Sequence, residues 1–252
     1  MKYVRCWAVL CCAFVSAASA SAQTVLFDSN GFESYNLGAL KGQNGWIVDG
    51  TGNYVVANGV GVGGSRGVSV GGGVTDWAYP NLNFTPTAGQ IIVVEADLAR
   101  TLSGTTPSFA YAIDLYTPAF ERITRFGLVA DSGVIRPFYT GSGNTTTFIG
   151  PSSVSANSFQ SFRAELNFAT DTMNLFLNGT NTASNVALLL NATTLLDADF
   201  QVSSNAAATD SGFLDNYRVT AVPEPTTLVL SLAAIPSLFW FRRRQTGCRF
   251  GS

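Results

Sequence analysis

From Ser161 to Phe168 the chain alternates without a break: Phe162, Ala164, Leu166 and Phe168 interleave with Ser161, Arg163, Glu165 and Asn167. A period of two sends successive side chains to opposite faces of an extended backbone, so this stretch is a β-strand with one apolar face turned inward. Ala169-Thr170-Asp171-Thr172 then turns the chain and Asn174-Leu175-Phe176-Leu177 returns it. Asn178-Gly179, a pair suited to the tight two-residue hairpin, follows. A one-residue slip would expose the whole apolar set, so the hairpin fixes its own register and commits its surroundings to sheet.

Similar short β-branched or aromatic runs, separated by Gly, Asn, Asp and Pro, recur along the chain. They predict strands at 24–27, 54–57, 67–70, 77–84, 90–98, 109–116, 123–129, 134–139, 146–149, 159–168, 173–177, 199–203 and 213–221. With 25 glycines and only 12% charged residues, the composition disfavours helices, whose interiors glycine, threonine and asparagine weaken. The predicted fold is all-β, a single antiparallel β-sandwich of the jelly-roll kind spanning residues 23–221. One segment, 183–195, is compatible with either a short helix or a loop plus strand, because period alone does not decide Val186-Ala187-Leu188-Leu189-Leu190.

Several chemistries are closed to this body. The chain has no histidine, which removes the commonest general base near neutral pH and every histidine-ligated metal. Its four cysteines, Cys6, Cys11, Cys12 and Cys248, all fall in the terminal segments, so the body has no disulfide and no thiol nucleophile. Between Gln23 and Val222 there are 15 acidic and 8 basic residues, a balance of about −7 that argues against nucleic acid as a partner.

The two ends carry addresses. Lys2 and Arg5 precede an apolar run from Cys6 to Val15, and small residues end in Ala20-Ser21-Ala22, the order of a secretory signal peptide over residues 1–22. At the other end Val222-Pro223-Glu224-Pro225 leads into the apolar run 226–241 and then Arg242-Arg243-Arg244. The sixteen residues of this run span roughly 24 Å as a helix, and arginines that stay cytoplasmic place the body outside the membrane. The two prolines hold the lead-in extended. Pro-Glu-Pro, apolar helix and arginine cluster in this order resemble the PEP-CTERM sorting signal of Gram-negative bacteria, over residues 222–252. The resemblance implies an exosortase as processing partner, with cleavage at or near Pro-Glu-Pro and transient anchoring in the inner membrane. It also implies delivery to the cell surface or an exopolysaccharide-rich extracellular matrix. The expected mature protein runs from about Gln23 to about Val222.

The body resembles concanavalin A-like jelly rolls of the lectin, laminin-G and glucanase type. Gly31-Phe32-Glu33 with Gly45-Trp46, the hairpin at 159–179, and Phe213-Leu214-Asp215-Asn216-Tyr217-Arg218-Val219 carry that likeness. Retaining glucanases of this fold space their carboxylates as Glu-x-Asp-x-Glu along one strand; Glu95 and Asp97 match the first half, but Ala99 and Arg100 stand where the second Glu belongs. The expectation is therefore a non-catalytic domain that binds or organises polysaccharide. A carbohydrate-active enzyme of the same fold and a purely structural matrix protein are the alternatives. Flat aromatics suit sugar rings, which makes Trp46, Trp77, Tyr79, Tyr111, Tyr116 and Tyr139 candidate platforms; the alternative for each is a place in the core. By resemblance a structural Ca²⁺ is expected on Glu33 and Asp215, with Asp28 as a third ligand.

Overall fold

The computed structural model describes residues 23–102, 108–203 and 209–224. The signal peptide, the apolar run 226–241 and the arginine cluster lie outside them. Among the described residues no helix is long and apolar enough to cross a membrane.

In chain order the strands are β1 (Thr24–Asp28), β2 (Gly38–Ala39), β3 (Trp46–Asp49), β4 (Val55–Ala57), β5 (Gly67–Gly71), β6 (Asp76–Pro80), β7 (Gln90–Arg100) and β8 (Ser108–Tyr116). The second half adds β9 (Arg122–Asp131), β10 (Val134–Gly141), β11 (Thr145–Phe148), β12 (Gln160–Asn167), β13 (Thr172–Leu177), β14 (Thr180–Ala187), β15 (Asp197–Val202) and β16 (Ser211–Pro223). They form two antiparallel sheets. One has the order β14-β13-β12-β7-β16-β5-β4-β2 with β1 also paired to β16; the other runs β11-β10-β9-β8-β15-β6-β3. This is the predicted sandwich, with a jelly-roll-like layout and a core supplied by the inward faces of both sheets.

The hairpin folds in the predicted register, Phe162 opposite Leu177, Ala164 opposite Leu175 and Leu166 opposite Met173, with all six side chains buried. Asn178 (φ 50°) and Gly179 (φ 77°) form the two-residue turn into β14. That strand resolves the ambiguous segment: 180–187 is extended and the remainder is irregular. β14 escapes a pattern search because it is a mostly polar edge strand, paired with β13 alone. β3 escapes it because Trp46 to Asp49 is only four residues long.

β16 is the longest strand, 13 residues, and lies between β7 on one side and β5 and then β1 on the other. Its register with β7 shifts between Asp215 and Arg218, where Asn216 has φ 48°. The bulge sends Tyr217 across the core, fully buried, to donate its hydroxyl to the Ala198 carbonyl of β15 at 2.6 Å. β15 needs that donor: its pairing with β6 stops at Phe200, and β6 ends in Pro80, which has no N–H. One step along, the Tyr54 hydroxyl donates between the Asp76 carbonyl of β6 at 2.8 Å and the Phe200 carbonyl of β15 at 3.0 Å. Two buried tyrosines thus hold the backbone of β15 from beneath.

Val222 and Pro223 continue β16, opposite Ile91 and Gln90. The Glu224 N–H donates to the Gly89 carbonyl at 2.6 Å, and its carboxylate accepts from the Asn167 amide at 2.6 Å. The boundary expected after Val222 therefore falls inside a strand, and the first half of Pro-Glu-Pro is part of the folded body.

Candidate functional site

Alternation along β15 sends Ala198, Phe200 and Val202 into the core and leaves Asp197, Asp199 and Gln201 on the outer face of the seven-stranded sheet. Neighbouring strands present Trp77 and Tyr79 from β6, Asp49 from β3, and Asp114 and Tyr116 from β8 to that face. Asp199 lies opposite Asp114, Asp197 opposite Tyr116, and Asp49 opposite Trp77. Asp49, Trp77, Tyr79, Tyr116, Phe120, Asp197 and Asp199 line an open pocket of about 340 Å³, within the size range of small-ligand sites. Phe120 stands at its rim, 76% exposed, in a turn where its φ is 60°.

The floor is acidic and short of donors. Asp197 and Asp199 are 3% and 5% exposed, and Oδ1 of each has no hydrogen-bond partner. Burial raises the pKa of both above the ordinary carboxylate range, and their hydrogen bond and mutual repulsion push Asp199 higher still. Raised pKa values favour a shared proton over two adjacent carboxylates, a donor beside its conjugate base. Asp49 accepts from the Tyr79 hydroxyl at 2.6 Å, and burial with that bond raises the phenol's pKa. Beneath the rim, Asp114 is fully buried and takes two hydrogen bonds from the Arg125 guanidinium, which also donates to Gln201. Arg122 adds a longer contact to Asp114 at 3.9 Å.

A pair with raised pKa values binds protons more tightly folded than unfolded, so stability falls as pH climbs from about 4 through the folded pKa of about 6 for Asp197 and toward that of Asp199. Asp199→Asn removes the ionisation and keeps hydrogen-bonding capacity. Thermal melts at pH 5 and pH 8 should show the variant more stable than wild type at pH 8, by about 3 °C or more, with the gap closing at pH 5. A constant gap would mean that the two carboxyls titrate as exposed ones do.

The aromatic candidates separate cleanly. Trp77, Tyr79 and Tyr116 line the pocket. Trp46 does not: it is 1% exposed, stacked among Phe27, Phe32 and Tyr217, with its indole N–H on the Tyr35 hydroxyl at 3.0 Å. Tyr111 is also core, fully buried beneath the Arg100 guanidinium, its ring filling the space a side chain at Gly212 would need. Tyr139 packs against the core from β10. These three face inward because their neighbours two residues away do, a parity set by register.

Glu95 and Asp97 lie on the outer face of the other sheet. Glu95 meets Arg163 at 3.6 Å, and Asp97 accepts from the Asn216 amide at 2.7 Å. Ala99 and Arg100 are fully buried, Arg100 paired with Asp210 at 2.7 Å.

Of the expected calcium ligands, Glu33 and Asp215 converge around Gly31, and each of the three already has hydrogen-bond or ion-pair partners. Glu33 accepts from the Arg66 N–H at 2.9 Å, and the Arg66 guanidinium takes the carbonyls of Glu33 and Tyr35. Asp215 accepts from Val62 N–H, the Ser65 hydroxyl and Asn216 N–H, while Asp28 meets Arg218 at 3.3 Å. Among the described residues no group of three or more acidic, Cys or His side chains is arranged to hold a metal.

No family model and no curated protein matches the chain. Solved structures do match in fold. A carbohydrate esterase from Shiga toxin-encoding bacteriophage phi24B aligns with a TM-score of 0.57 at 10% identity, over 81% of this chain and 100% of its own. A sialidase aligns at 0.56 and 11% identity over 79% of this chain, which spans only 18% of the sialidase. The cellulose-induced protein Cip1 aligns at 0.50 and 15% identity, over 71% and 92%. Identities this low establish the shared fold. They also correct the expectation of a non-catalytic body: a whole chain of this fold is described as a carbohydrate esterase. The broken Glu95–Asp97 signature excludes one carboxylate arrangement on one strand, not catalysis from the opposite sheet.

Asp49, Phe120, Asp197 and Asp199 were not among the sequence candidates. Asp197-Ala198-Asp199-Phe200 does carry a signal, two carboxylates at i and i+2 on one strand face, which a strand begun at residue 199 cuts in half.

Proposed function

We propose that this chain is an exported carbohydrate-active protein whose saccharide site is the acid–aromatic pocket on the outer face of the seven-stranded sheet. The observation that carries the reading is the Asp197–Asp199 pair, buried at the floor of an open pocket with one oxygen of each unpartnered and aromatic rings on its walls. Rings of Trp77 and Tyr116 offer faces for a pyranose, and the pair offers a proton donor beside a carboxylate, the equipment for acid–base cleavage of a bond to a sugar oxygen. The shared fold with a carbohydrate esterase and a sialidase supports the same class of substrate.

Incubation of the purified chain with a panel of polysaccharides, followed by reducing-end and acyl-release assays, tests the catalytic part. Product from one polymer is expected, falling at least about 100-fold in Asp199→Asn. Product formed equally by the variant would remove the pair from the chemistry.

The ends of the sequence supply the address in this proposal: export by the signal peptide, then trimming by an exosortase and release to the cell surface or matrix. Because β16 runs through Pro223 and Glu224 is tied to Gly89 and Asn167, the processed chain should keep Glu224. Intact-mass measurement of the mature protein gives its last residue. An end at or before Val222 would contradict the folded boundary.

A further inference from the structure

The charge of the pocket narrows the sugar it takes. Every ionisable carboxyl on its lining is an aspartate: Asp49 at the rim, Asp197 and Asp199 on the floor. No lysine or arginine lines it. Arg122 and Arg125 on β9 both meet Asp114, and they also donate to Asn144 and Gln201. A sugar carboxylate entering here meets three acids and no cation on the lining, and its desolvation goes uncompensated. An ammonium meets the opposite: the Asp49 carboxylate, the unpartnered Oδ1 atoms of Asp197 and Asp199, and ring faces of Trp77, Tyr79 and Tyr116 that attract cations. A neutral hydroxyl satisfies one such oxygen but gains no charge pairing.

On the reading of this pocket as the saccharide site, we infer that it selects polysaccharide bearing free amino groups, a de-N-acetylated hexosamine, and rejects uronate and sialate units. The acidic pocket on the other sheet offers no equivalent. There Asp28 is paired with Arg218, Glu95 with Arg163 and Asp97 with Asn216.

Four tetrasaccharides with one β-1,4-glucan backbone isolate the charge: the free-amine glucosamine form, its N-acetylated form, cellotetraose, and cellotetraose oxidised to the uronate. Their affinities for the full-length chain, measured by calorimetry at pH 6 in 0.15 M salt, limit long-range attraction to the acidic surface. The amine form is expected to bind at least tenfold tighter than cellotetraose, and the uronate not at all. Asp49→Asn should cut the amine preference several-fold, and Trp77→Ala should weaken all binding. Equal affinity for the amine form and cellotetraose, both lost in Trp77→Ala, overturns the charge selection while leaving the site in place. Amine binding that survives Trp77→Ala, or no binding by any of the four, removes the site and the inference together. Melting temperatures of both variants confirm that they fold.

Discussion

Replacing Asp114 with alanine should lower the melting temperature by about 10 °C. Its carboxylate is fully buried and holds Arg125, whose side chain is 14% exposed, through two hydrogen bonds. Removing the acid leaves a buried guanidinium with only Gln201 as an acceptor, and breaking a buried pair from one side costs about 3–5 kcal/mol. For a domain of this size each kcal/mol is worth about 2–4 °C. The damage also reaches the pocket, because Asp114 faces Asp199 across the β8–β15 ladder and Arg125 clasps Gln201 on the same strand. Calorimetric unfolding of Asp114→Ala measures it directly. The paired variant Asp114→Ala/Arg125→Met, which removes both charges, should recover most of the loss. If the double variant is no more stable than the single one, the charges are not coupled as the geometry requires.

Trp46→Ala should be comparably severe and for a different reason. The indole sits at the centre of an aromatic group from four parts of the chain, 5.2 Å from the Tyr217 ring and 5.4 Å from Phe27. Truncation opens a large cavity and strips the Tyr35 hydroxyl of its indole donor, for a cost of about 3–5 kcal/mol. Because Tyr217 holds the Ala198 carbonyl, loosening this cluster should also weaken the proposed sugar binding on the other face of β15. Chemical denaturation reads the stability term. A loss below about 1 kcal/mol would place Trp46 outside the core.

Most of the fold was legible in the sequence because alternation and turn chemistry are local. Phe162 to Leu177 declares its faces, and Asn178-Gly179 declares its turn. The site was half legible for the complementary reason. Trp77 and Tyr79 alternate with Asp76, Ala78 and Pro80, so their shared face is visible in the chain. Whether that face is core or surface depends on which sheet β6 joins, and Trp46 and Tyr111 show the opposite outcome for equally aromatic strands. The Asp197–Asp199 pair needed both its own parity and the arrival of β3, β6 and β8 beside it, strands far away along the chain. The partners of Glu33 and Asp28 were not legible at all: Arg66 and Arg218 reach those acids through a loop and a bulged strand, which no spacing reveals.

The central claim is that sugar enters the pocket walled by Trp77, and tryptophan emission reports on it with little background. Between Gln23 and Glu224 the chain has two tryptophans, and Trp46 is sealed in the core. Titrating wild type and Trp77→Phe with the best-binding oligosaccharide should shift and intensify emission in the wild type as Trp77 loses water, and leave the variant's spectrum unchanged. A ligand that binds both proteins equally, with no change in Trp77 emission, would contradict the site.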